Sequence, residues 1–232
     1  PILAYLLGPH LLFLLIVLGV LLAFTAAVLT GVAIFGTVKI SALDGGPGHI
    51  LRWLALGYGA YLFYTLRPTC LVHGRTRGEF VRQVPIFQVV TTAVIAAVIA
   101  LCYAGETLLY RAAGWSQDFQ ESRLFDEGTD VGLVFVSYWT GLLVWSVTGS
   151  MLGAAFYRLE AGGVVLLPVA VVLLLVNGLS IGMFDLPFIG SWLGGWELGG
   201  AAVLAISAAC SAVAVGLTWA LARDLPVRTR AA

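Results

Sequence analysis

At 232 residues, with twelve lysines and arginines against twelve acids, the chain has no net formal charge. That excludes the global basic field of a nucleic-acid binder and the acidic field of a cation buffer. Sixty per cent of its residues are apolar, 10% are charged and the mean hydropathy is +1.00; so few polar side chains cannot cover a soluble domain, whereas a helix bundle in lipid leaves Leu, Val, Ala and Phe facing outward without cost.

The composition predicts an all-α integral membrane protein, a single transmembrane domain over residues 1–232. A helix rises about 1.5 Å per residue, so roughly 30 Å of hydrocarbon takes about 20 mostly apolar residues. Six stretches meet or approach this: 11–34, 50–66, 84–104, 131–157, 164–183 and 198–221. The uncharged opening, broken at Pro9 and His10, reads as an interfacial stretch and shows neither the basic start nor the brevity of a secretory signal. The second span is short and carries Arg52 near its start, a side chain long enough to snorkel to the interface.

Orientation follows from where the basic residues fall. With the N-terminus inside, eight of the twelve lie in inner loops, and only Lys39, Arg52, Arg111 and Arg123 lie outside, together with most of the acids. Both termini are predicted cytoplasmic. The longest polar stretch, 105–130, is then outside and long enough for a small helical cap. The link at 184–197 holds Phe188, Trp192, Trp196, Pro187 and several glycines. It reads either as a short re-entrant hairpin between spans five and six or as an aromatic belt on an interfacial loop.

The inner loop 67–82 carries the densest local signal. Pro68 and Gly74 end the preceding helix, and Thr76 with Glu79 three residues on forms a capping box. A short basic helix is therefore expected from Thr76, bearing Arg77 and Arg82, with Arg75 beside its start and a kink at Pro85 before span three. On residues alone this is either a partner-docking helix or a positively charged loop that orients the protein.

Elsewhere, Gly149 and Gly153 stand four apart, and Gly57 accompanies Gly59. Small residues at such spacing let helices approach closely in lipid, within one bundle or between two copies. At the outer side, Glu106 ends span three while Arg52 and His49 begin span two; ionisable groups there serve as helix-end anchors or as an outer gate. Cys70, Cys102 and Cys210 have no Cys-x-x-Cys spacing and read as small apolar residues. The only lysine, Lys39, sits in no Gly-x-x-x-x-Gly-Lys pattern, so the chain has no P-loop.

Two blocks carry a family resemblance. Gly74-Arg75-Thr76-Arg77 with Phe80, followed by an Ala/Val-rich span ending at Glu106, and Gly149 to Arg158 followed by Gly162-Gly163 and an aliphatic span, resemble the permease subunits of type-two ATP-binding-cassette (ABC) exporters of actinobacterial type. The likeness covers residues 53–176. It implies a coupling helix over Gly74, Arg75, Thr76, Arg77, Glu79 and Phe80 that sits on an ATP-binding subunit. It also implies a second permease copy or homologue, ATP and Mg bound only by the partner, an amphipathic helix before span one, and re-entrant helices between spans five and six. The location implied is the bacterial plasma membrane. The cargo class is an amphipathic or hydrophobic compound such as a drug, antibiotic, peptide or lipid, with no enzymatic activity in this chain.

Three other classes compete. Gly178-Leu-Ser180-Ile-Gly182 matches the Gly-x-Ser-x-Gly of a serine hydrolase, but His10, His49 and His73 all precede it and fall at predicted span ends. A haem carrier needs two histidines at one depth, and the topology separates His49 from His73. A proton-coupled secondary transporter wants acids in mid-span, whereas the acids here fall at span ends.

Overall fold

The structure, a computed structural model, describes residues 2–74, 76–119, 124–183 and 199–223, with side chains from Leu7 onward. Among these residues every regular element is a helix. Helix α1 (Ile2–Phe35) is one rod of 34 residues. The opening expected to lie apart at the interface belongs to it instead: Pro9 removes one backbone donor near the helix start, too little to break an apolar run that is helical on both sides.

A single turn, α2 (Ala42–Gly45), leads to α3 (Pro47–Tyr61), which passes through a π-helical turn (Leu62–Leu66) into α4 (Arg67–Val72). Pro68 was expected to end this helix and does not. It occupies the first turn of α4, where its missing N–H is least costly and the widened turn before it absorbs the ring. The helix stops at Gly74, whose φ of 78° is a left-handed conformation that glycine adopts without strain.

Helix α5 (Arg77–Ala113) is an uninterrupted 37-residue rod that passes through Pro85. The separate short helix expected after Thr76 is therefore not formed, and its residues make the first turns of α5. At the other end the same helix runs well past Ala104 to Gly114, replacing part of the expected outer cap. Helix α6 (Val131–Leu159) ends at Glu160 with φ 51°, and a 3-10 segment (Glu160–Leu166) leads into α7 (Leu167–Ser180). Helix α8 (Gly200–Ala222) follows.

Four helical stretches are long and apolar enough to cross a membrane: Leu7–Phe35, Arg77–Ala113, Val131–Ser180 and Gly200–Ala222. The third, 50 residues long, would extend roughly 75 Å if straight. It is folded back on itself. At Gly163 a Cβ would meet the Phe156 backbone at 2.9 Å, Ala170 and Leu173 pack with Val144, Val147 and Met151, and Ile181 reaches Trp145. Four such stretches in one chain are consistent with a multi-pass membrane protein.

Helix α6 is the hub, touching α3, α5, α7 and α8, whereas α1 lies at the edge and packs mainly on α5. The contact between α3 and α6 depends on missing side chains. A Cβ at Gly149 would overlap the Leu56 backbone, one at Gly153 the Ala60 backbone, and one at Gly59 the Ser146 backbone. In lipid, where apolar burial does not drive helices together, such close backbone contact is a main source of attraction. Gly57, by contrast, faces open space.

Candidate functional site

Polar side chains gather at both ends of the bundle and at one level within it. At the end predicted to face outward, Glu106 projects from α5 and is 8% exposed. Its carboxylate accepts from Ser41 Oγ at 2.6 Å, from the Ala42 and Leu43 amides at 2.7 and 3.3 Å, and from Gln117 Nε2 at 2.9 Å. The two amides belong to the first turn of α2, which has no preceding carbonyl to bond. Around this carboxylate the two connecting segments are stitched together: the Ser41 amide donates to the Asp118 carbonyl, the Asp118 amide to the Lys39 carbonyl, and Tyr110 Oη to the Ile40 carbonyl.

Those four donors fill the acceptor positions of Glu106. Arg52, expected to snorkel to the interface, is buried instead. At 6% exposure it points into the bundle, lining a small void with Ser137, Tyr138 and Ile181. Beside it the Tyr103 and Tyr138 hydroxyls share a 2.7 Å hydrogen bond. Of the two residues expected at the outer gate, Glu106 is held in this tie and Arg52 is buried on α3. Trp192 and Trp196, with the whole 184–197 link, lie outside the described residues.

At the opposite end, Thr76 caps α5, its Oγ1 accepting from the Glu79 amide at 3.2 Å. Glu79 Oε1 accepts from Gln83 Nε2 one turn on. Gly74 and Thr76 are exposed and Arg77 is half-buried, whereas Phe80 is wholly buried, edge-on to Phe63 at 5.3 Å in a cluster with Leu62, Leu66 and Val84. The elbow between α4 and α5 is therefore a surface feature rooted in the core by one ring. Arg75 lies outside the described residues.

Two further arginines act at this end. Arg67, 1% exposed, donates to the Ala222 carbonyl at 3.1 Å and lies 5.6 Å from the centre of the Tyr157 ring. Arg158 donates to the Ala220 and Leu221 carbonyls at 3.3 and 2.9 Å. Carbonyls in the last turn of a helix lack intrahelical donors and carry its partial negative charge, so the two guanidinia cap α8. In the sequence nothing near either arginine reveals a partner more than 60 residues away.

Within the bundle, Gln88 Nε2 donates to the Ser146 carbonyl at 3.0 Å and to Ser146 Oγ and Ser150 Oγ at 2.8 Å, and Ser150 Oγ donates to the Gly59 carbonyl at 3.1 Å. One buried amide thereby fastens α5 to α6 at the level where α6 meets α3. The sequence signal for it is a Gln in an apolar span facing a serine pair at helical spacing.

The Ser180 hydroxyl donates to the Asn177 carbonyl at 2.7 Å, closing the end of α7, while Asn177 Nδ2 donates to Ser207 Oγ at 2.8 Å. His10 is packed against Tyr58 and Phe87, and His73 is exposed with Nδ1 2.8 Å from the Thr69 carbonyl. Among the described residues no cluster of His, Cys, Asp and Glu is able to hold a metal, and all three cysteines are free thiols.

Comparison with protein-family models, curated proteins and solved structures finds no match. Functional assignment therefore rests on the chain's own geometry. Its chief feature is that α5 joins the two polar ends, with the Thr76 cap and Phe80 at one end and Glu106 at the other.

Proposed function

We propose that the chain is the permease subunit of a type-two ABC exporter, crossing the bacterial plasma membrane six times with both termini cytoplasmic. It works with a second permease copy or homologue and with ATPase subunits that hold ATP and Mg. Cargo is an amphipathic or hydrophobic compound moved outward. The observation that best supports this is the unbroken α5, roughly 55 Å of helix between an exposed, core-rooted elbow and a tied carboxylate.

A partner closing on the elbow at 74–80 would push on Gly74, Arg75 and Arg77. Phe80, held in the inner cluster, turns that push into displacement of the whole rod instead of fraying of its first turn. Displacement of α5 reaches α2 through Glu106 and α6 through Gln88, so the inner contact and the outer connections move together. The six-span topology counts the 47–72 rod as a crossing and takes the folded-back 131–180 stretch as two, α6 and α7.

The deciding test is to purify the chain with an ATPase encoded beside it and measure nucleotide-dependent cargo movement in vesicles. Replacing Arg75 and Arg77 together by Glu should abolish coupled transport while insertion and abundance stay normal. Undiminished transport by that double variant would remove the coupling role, and proton-driven transport by the chain alone would favour a secondary transporter instead.

A further inference from the structure

Helix α1 and the segment that follows it do not close on each other. Between the second half of α1 and residues 37–50 lies a cleft of about 500 Å³, within the size range of small-molecule sites. Its walls are apolar, with Phe24, Val28 and Val32 on α1 and Ile40 and Ile50 opposite. Among the described residues no acid lines it, and at its polar end stands Lys39, the only lysine in the chain, whose ammonium has no carboxylate partner among those residues.

Depth fixes the chemistry. Because α1 is long and apolar enough to cross a membrane and ends at Phe35, the walls lie at the level of the hydrocarbon and Lys39 at the level of the headgroups. That holds whichever side of the membrane this end faces. A flexible acyl chain fits, and the Lys39 ammonium complements a phosphate.

We propose that this cleft binds a membrane phospholipid with an anionic headgroup, one acyl chain along Phe24, Val28 and Val32 and the phosphate at Lys39. It rests on the membrane-spanning character of α1 and not on any ATPase partner. The site would tie the otherwise weakly packed outer half of α1 to the connection that also holds Glu106.

The test is native mass spectrometry of the full chain in neutral detergent, titrated with phosphatidylglycerol or phosphatidylcholine. Wild type should retain phosphatidylglycerol in preference. Lys39→Gln should weaken phosphatidylglycerol binding about fivefold, the factor supplied by one lysine at an anionic headgroup, and leave phosphatidylcholine unchanged. Val28→Trp, which fills the cleft, should remove saturable binding of both lipids, and Val171→Trp, on the exposed face of α7, should change neither. Wild-type binding by both Lys39→Gln and Val28→Trp would overturn the site, as would an equal loss in Val171→Trp, which would show only general lipid coating. Neither Lys39 nor Val28 lies at the elbow, so failure here leaves the coupling proposal standing, and failure of coupling leaves this site standing.

Discussion

Replacing Gly149 by Ala tests whether backbone contact between α3 and α6 holds the bundle together. The new Cβ would overlap the Leu56 carbonyl group, with the carbonyl carbon 2.8 Å and the Cα 3.0 Å away. Both are backbone atoms within a helix, so no side chain can swing aside and the helices must separate. Overpacking of this kind costs about 1–3 kcal/mol. Separation also strains the bond from Ser150 Oγ to the Gly59 carbonyl, worth about 0.6 kcal/mol in membrane proteins. Against this, Ala is favoured over Gly in a helix by about 0.8–1 kcal/mol.

The balance is a net loss of about 2 kcal/mol. Gly57→Ala on the facing helix meets nothing within 4 Å, so it should keep the propensity gain and be neutral or slightly stabilising. Reversible unfolding in mixed micelles, followed by far-ultraviolet circular dichroism, measures both. Equal stability of the two variants, to within about 0.5 kcal/mol, would refute close contact at Gly149 as a source of cohesion.

Glu106→Ala should release the outer tie, since the Ala42 and Leu43 amides and Ser41 Oγ lose their shared acceptor. Hydrogen bonds to a charged group are worth about 1.5–3 kcal/mol, so amide exchange at Ala42 and Leu43 should quicken by at least tenfold; unchanged exchange would show that α2 stands without the carboxylate. Arg67→Met keeps most of the buried volume and removes the cap on Ala222. It should raise the labelling rate of a cysteine placed at position 222, most strongly when combined with Arg158→Ala, and equal labelling in all backgrounds would mean that the guanidinia do not hold the end of α8.

Much of the fold is legible in the residues because the solvent is lipid. A bilayer demands about 20 apolar residues for each crossing and full internal hydrogen bonding, and both are local properties of the chain. Hence the helical class, the long apolar stretches, the Thr76 cap and the Gly74 stop can be read without any tertiary contact. Local rules fail at prolines. Pro9, Pro68 and Pro85 all lie within helices whose neighbouring residues leave the chain no better conformation, and a π turn takes up the ring at Pro68.

Tertiary structure alone decides where each polar group goes. Arg52 turns inward, Glu106 bonds two amides more than 60 residues away, and Arg67 finds Ala222 across 155 residues. In lipid a buried donor or acceptor is stable only when some other group meets it, and that group is chosen by how the helices pack. Spacing along the chain shows that such residues need partners; the crossing of α3, α5 and α8 with α6 determines which partners they have.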